Sequence, residues 1–271
     1  MLNQKRVDLL LEGESFYTFL GKIDAFDGQY IGGTRGMREL IEKLEIQRDP
    51  EFKVLEVGAA TGYTSRYVAK KYRCSVTSTD ISRELVERAR RKAEKLGLNI
   101  EFQVADAMDL DFPDGSFNAV YGIATTGVLS DKPRALSEYI RVLTRGGVIG
   151  GLDLFIRDEA PHEVMDIINL TMGKVVGYGV QVMKLDEWKR LLDDSGLVDV
   201  VVTTHFEEVF ENPDFGFKAA LRYLKLVYYL VTDSRFRSLF FEVLELRKVI
   251  SETRDGIFSN IGYLIYTGKK N

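Results

Sequence analysis

The segment Lys53–Ser82, KVLEVGAATGYTSRYVAKKYRCSVTSTDIS, leaves the chain little choice of fold. Val54, Leu55 and Val57 make the short apolar run of a parallel strand buried on both faces, and the run breaks at Gly58. A helix starting at Thr61 or Gly62 presents unpaired backbone N–H groups above the turn, while Gly58, Ala59 and Ala60 keep side-chain bulk away from them. A second strand, Cys74 to Thr79, then delivers Asp80 at its tip. Strand, tight turn, helix and strand form a nucleotide-binding half-unit, which predicts an open α/β fold around a parallel sheet.

Two acids narrow the ligand. Asp80 stands roughly 20 residues beyond the glycines, where a carboxylate takes both hydroxyls of a ribose, and this alone suits NAD or an adenosyl compound. Glu56 lies two residues before Gly58, where a dinucleotide brings its pyrophosphate. A carboxylate there repels pyrophosphate and suits an ammonium group. The dinucleotide spacing G-x-G-x-x-G also fails, because its second glycine would be Ala60 and its third Tyr63.

The stretch Glu56-Val57-Gly58-Ala59-Ala60-Thr61-Gly62 resembles the first motif of class I S-adenosylmethionine-dependent methyltransferases. Ala60 replaces the middle glycine of that motif, which costs one methyl group of clearance. The resemblance implies a Rossmann-like seven-stranded sheet, mostly parallel with its last strand antiparallel, and S-adenosylmethionine as cofactor. It places Glu56, Gly58, Ala60 and Gly62 around the methionine part and Asp80 at the ribose, and it adds Ile81 and, in the loop past the fourth strand, Ile123 to the cofactor-binding residues. Asp106, after a third strand at Ile100 to Val104, would accept from the exocyclic amine of adenine, with room left by Ala107; Asp109 and Asp111 read as nearby surface acids.

At 271 residues the chain suits one α/β domain with additions: a helical lid over 1–50, the core over 51–206, a helical insertion over 207–257 and a final strand over 258–271. A net charge of −4 with interleaved signs gives no electrostatic footprint for nucleic acid and favours a small-molecule partner. The single cysteine, Cys74, lies in a predicted buried strand, and with only His162 and His205 beside it the chain offers no convincing metal set. No run approaches the roughly 20 apolar residues of a membrane span, and the N-terminal stretch lacks a signal-peptide core. The expectation is a soluble, cytoplasmic monomer or homodimer.

Four residues are candidates for the chemistry. Asp27 to Gly36 is rich in glycine between two helical stretches and reads as a mobile loop or lid. Its order, Tyr30-Ile31 followed by glycines, resembles small-amine N-methyltransferases for phosphoethanolamine and sarcosine, in which a tyrosine of this segment closes over the site; Tyr30 is the match. Beyond the fourth strand, Phe117 to Tyr121, a loop carries Thr125 and Thr126, which either touch the acceptor or cap locally. Val128 stands where the phosphoethanolamine enzymes pair a histidine with the lid tyrosine, so a quinone or phenol acceptor stays open beside an amine. Asp153, near the exit of a fifth strand at Val148 to Phe155, reads as a base or cation partner for the acceptor, or as a residue that caps or pairs with a basic neighbour such as Arg157.

The remaining expectations concern organisation. A turn at Thr144 to Gly147 precedes the fifth strand, and Gly173, Gly177 and Gly179 argue against a long helix over 156–183. The last strand, Asn260 to Thr267, should pair antiparallel with the sixth, Val198 to Phe206. The functional expectation is methyl transfer to a small molecule, most directly an amine. A catalytically silent protein that binds the same cofactor is the competing class, and an NAD or nucleotide-sugar enzyme is opposed by Glu56.

Overall fold

The computed structural model describes residues 31–176, 181–206, 226–234 and 259–271, with residues 21, 237, 238, 240 and 241. Tyr30 and most of the segment 207–257 lie outside them. The first described helix, α1 (Gly33–Lys43), buries Met37, Leu40 and Ile41, which fall on one stripe at helical spacing. There follow β1 (Lys53–Val57), α2 (Tyr63–Tyr72), β2 (Ser75–Asp80), α3 (Arg83–Glu94), β3 (Glu101–Val104) and β4 (Phe117–Ile123). A short 3₁₀ turn over Thr126–Val128 leads to α4 (Lys132–Val142), β5 (Leu143–Ile156), α5 (His162–Val176), α6 (Leu185–Asp193), β6 (Val198–His205) and β7 (Ile261–Lys269). Local caps set several boundaries: the Ser82 hydroxyl accepts from the Leu85 N–H, and Asp131 accepts from the Arg134 N–H.

The strands form one seven-stranded sheet in the order β3-β2-β1-β4-β5-β7-β6. Strands β1 to β5 run parallel, and β7 is antiparallel to both neighbours. The last strand therefore pairs with the sixth, as expected, and also inserts between it and the fifth. One face buries Leu40, Val68, Val86 and Ile168 from α1, α2, α3 and α5. The other buries Leu136, Tyr139, Trp188 and Leu192 from α4 and α6. Each fully buried large side chain contributes ~1.5–3 kcal/mol, so this two-sided core fixes the strand ends on which the site is built. Among the described residues no helix is long and apolar enough to cross a membrane.

Two local expectations are corrected. The Thr144–Gly147 segment is part of β5, because Leu143 already pairs with Phe117 and the Gly146 N–H donates to the Lys270 carbonyl at 2.8 Å. Over 156–183, as expected, no helix spans the stretch: α5 covers His162–Val176 and residues 181–184 are not helical, although α5 does run through Gly173, where Val164, Met165, Ile167 and Ile168 packing on the core offset the roughly 1 kcal/mol a helical glycine costs. Gly33 to Gly36 are the first turn of α1 rather than loop. Glycine at 32 and 36 serves close packing: a β carbon on Gly32 would lie 2.8 Å from the Tyr263 ring, and one on Gly36 would lie 3.0 Å from Leu152. Tyr263 is in turn stacked on His205, with ring centroids 4.6 Å apart, so this stretch is seated on β7 and β6.

Candidate functional site

The carboxyl ends of β3, β2, β1 and β4 lie side by side, and the strand order reverses between β1 and β4, where open α/β sheets bind ligands. Gly58 leaves β1 with φ +73, and the Ala59 N–H donates to the Thr79 carbonyl at 2.8 Å, which folds the turn over β2. The Ala60 N–H donates to Asp80 Oδ2 at 2.8 Å and the Ser82 N–H donates to Oδ1 at 2.9 Å. Asp80 is only 4 % exposed, and burial pushes its carboxyl up to about 6 against the pull of those two amides. The sequence pattern offered Asp80 to a ribose; the structure adds that it braces the glycine turn. Ala60 costs more than a methyl group of clearance, because it takes a left-handed φ of 48, about 1–2 kcal/mol for a residue with a β carbon. Next to Asp80, Ile81 is 56 % exposed, an apolar surface beside a polar anchor.

Glu56 is buried under the turn and accepts a short hydrogen bond from the Ser65 hydroxyl, which accepts in turn from Ser78 Oγ at 2.8 Å. Burial pushes the Glu56 carboxyl up to about 7, opposed by hydrogen bonds from Ser65 and Tyr121. A carboxyl so placed gains from an arriving ammonium group, which would favour its ionised form. Ser65 and Ser78 are not legible as site residues in the chain, for no sequence pattern marks them. Asp106 follows β3 half-buried, its Oδ1 accepting from the Met108 N–H at 2.9 Å, with Ala107 buried beside it; Asp109 and Asp111 are exposed. Ile123 closes β4, also buried.

Thr125, Thr126 and Asp153 meet around a single turn, yet all three are buried and bonded within the fold. The Thr125 hydroxyl lies 3.1 Å from the carbonyls of Val57 and Ile123, tying β4 to β1. Thr126 Oγ1 is 3.2 Å from the Tyr266 hydroxyl, and the Gly127 N–H donates to Asp153 Oδ1 at 2.9 Å. Arg157 is not the partner of Asp153: its guanidinium lies over the Phe206 ring, 3.8 Å from the centroid. Tyr30, the fourth candidate, lies outside the described residues.

Residues 54–147, which carry all of these strand ends, match the family model described as a methyltransferase domain. The chain is 31% identical over 212 residues to ajmaline N-methyltransferase of Rauvolfia serpentina, covering 67% of this chain and 73% of that enzyme. It is 30% identical over 224 residues to a sterol 24-C-methyltransferase of Gibberella zeae, covering 80% of this chain and 54% of the relative. The chain thus spans about half the length of that sterol enzyme. Among solved structures, geranyl diphosphate C-methyltransferase from Streptomyces coelicolor, in complex with Mg2+, geranyl diphosphate and S-adenosyl-L-homocysteine, superposes with a TM-score of 0.63. The match is 15% identical, covers 87% of this chain and 78% of that one, and shows a shared fold.

Proposed function

The chain belongs to the family of S-adenosylmethionine-dependent methyltransferases, and from that premise we propose that it transfers a methyl group to a small-molecule acceptor, an amine first among them. The observation that carries the proposal is the braced turn: Asp80 fixed between the Ala60 and Ser82 amides, with exposed Ile81 on one side and buried Glu56 on the other. S-adenosylmethionine supplies a methyl group already activated on a sulfonium. Glu56 would hold the ammonium of the methionine part, and the remaining lone pairs of Asp80 would accept from the ribose hydroxyls. Ala107 would leave room for adenine, Asp106 would accept from its amine, and Ile81 and Ile123 would complete the cofactor site. The work left to the protein is to order the two reactants in line and exclude water, which is worth several kcal/mol. Tyr30 is assigned to the lid; cytoplasmic residence and a monomeric or homodimeric state belong to the same proposal.

Calorimetry with S-adenosylhomocysteine and, separately, with NAD tests the cofactor assignment: heat is expected with the first alone, and heat with NAD alone would overturn it. Radiolabelled methyl uptake across amines, phenols and carboxylic acids identifies the acceptor; no uptake by any extract or compound would leave the silent binding protein as the better account. Asp80→Ala should weaken S-adenosylhomocysteine binding by about 1.5–3 kcal/mol while the protein stays folded. Asp80→Asn should not restore it fully, because the amide NH₂ cannot accept from one of the two backbone N–H groups that the carboxylate serves. Tyr30→Phe should lower turnover and leave cofactor affinity nearly intact.

A further inference from the structure

We infer that Asp153 is a positioning residue, which holds the Thr125–Val128 turn from behind and through it the glycine turn of the methyl-transfer site. The inference rests on the proposed function, and the contacts run in one direction. Asp153 projects from β5 onto the face that carries α4 and α6 and is 1 % exposed. Its Oδ1 accepts from the Gly127 N–H, while its Oδ2 has no hydrogen-bond partner among the described residues. Gly127 is wedged in place: a β carbon there would lie 3.0 Å from Asp153 Oδ1 and 3.3 Å from Trp188 Cζ2. On the far side of the same turn, the Thr125 hydroxyl reaches the Val57 carbonyl, and the space a Gly58 side chain would need is filled by Thr125.

The surroundings of the carboxyl fit a support. The Tyr266 hydroxyl, from β7, lies 3.2 Å from Thr126 Oγ1, and the Tyr139 ring of α4 is fully buried in the same core. Among the described residues, Lys132 at the start of α4 is the cation whose field reaches Asp153; its ammonium donates to the Leu129 carbonyl at 2.9 Å and also feels Glu187 of α6. Burial pushes the Asp153 carboxyl up to about 7, opposed by the Gly127 amide, by Lys132 and, least, by the Thr125 amide, which falls short of hydrogen-bond geometry. A carboxyl that needs only one acceptor atom for its task can be replaced by an amide, whereas a base or an ion-pair partner cannot.

The test compares Asp153→Asn, which keeps an acceptor for Gly127, with Asp153→Leu, which leaves that buried N–H without one. Trp188 is the only tryptophan in the chain and packs against Gly127, so its emission reports on the turn whether or not an acceptor is known. The expected result is that the Leu variant shifts the Trp188 emission and loses about 10- to 100-fold in kcat/KM, the range that misplacement by about 1 Å produces. The Asn variant recovers most of that loss, and the emission titration near neutral pH expected of wild type is absent from both. Should the Leu variant not fold, Gly127→Ala, which pushes the turn off an intact carboxyl, must reproduce the emission shift and the loss. Wild-type emission and turnover in a folded Leu variant overturn the inference, as does an Asn variant as impaired as Leu. If wild type transfers no methyl group at all, the proposed function fails, and the emission of the variants still decides whether Asp153 holds the turn.

Discussion

Alanine at Gly58 should deprive the protein of its cofactor and of several kcal/mol of stability. The backbone there is left-handed, φ +73, which costs a residue with a β carbon about 1–2 kcal/mol. The new methyl group would also lie 2.2 Å from Thr125 Oγ1 and 2.6 Å from its Cγ2, and forcing apart packed groups adds about 1–3 kcal/mol. Thr125 cannot simply rotate away, because its hydroxyl is engaged between the Val57 and Ile123 carbonyls. The urea midpoint should fall, and calorimetric binding of S-adenosylhomocysteine should be lost beyond detection. Adding Thr125→Ala removes the two closest atoms and leaves only a contact of 3.0 Å to its Cβ, so the double variant should regain part of the stability. Wild-type midpoint and affinity in Gly58→Ala would show that the turn is built differently.

Stability should also decline as pH rises from about 5 to about 8, the reverse of what salt-bridged carboxylates produce. Burial raises Glu56 to about 7, Asp80 to about 6 and Asp153 to about 7. In that window the folded protein keeps protons that the unfolded chain has already released, so each step up in pH favours unfolding. The stabilising contribution of each group is complete below its unfolded value near 4 and gone once pH passes the folded value. A carboxyl that binds its proton tenfold more tightly in the folded protein contributes about 1.4 kcal/mol, so the three together contribute on the order of several kcal/mol. Glu138, held low first by its hydrogen bonds from Arg141, works in the opposite sense, but its contribution is lost only as pH falls below its ordinary value near 4.5. Urea midpoints at pH 5, 6, 7 and 8 measure the slope. Saturating S-adenosylhomocysteine should reduce it, because an ammonium beside Glu56 favours the ionised form, and a midpoint that climbs with pH would refute the buried-acid account.

Gly58 and Asp80 are legible in the chain as it stands, because a strand, a glycine turn and an acidic tip follow one another within Lys53–Ser82. The shared environment of Thr125, Thr126 and Asp153 is not: each reads in the sequence either as a candidate to touch an acceptor or as a local cap or partner, and only the fold shows each bonded inward. The partner of Thr126 is Tyr266, far along the chain on the strand that inserts between β5 and β6, and no local pattern connects them. Likewise Arg157 is the basic residue nearest Asp153 in sequence, yet it packs on Phe206, while the Gly127 amide takes the carboxyl.

What the sequence determined by itself is whatever depends on the period and chemistry of consecutive residues. The strands, the helices capped at Ser82 and Asp131, the turn at Gly58 and the acids at the strand ends belong here, since backbone geometry and capping are settled within a few residues. Tertiary structure alone decided where buried polar atoms find partners and where a missing side chain is needed. Gly32 and Gly36 are small because Tyr263 and Leu152 press on them, the Gly146 segment is strand because Phe117 and Lys270 pair with it, and Asp80 is a brace because the Ala60 amide folds back onto it. A buried donor or acceptor must be satisfied by whatever the closed fold brings within reach, and in a parallel sheet that neighbour comes from a strand dozens of residues away.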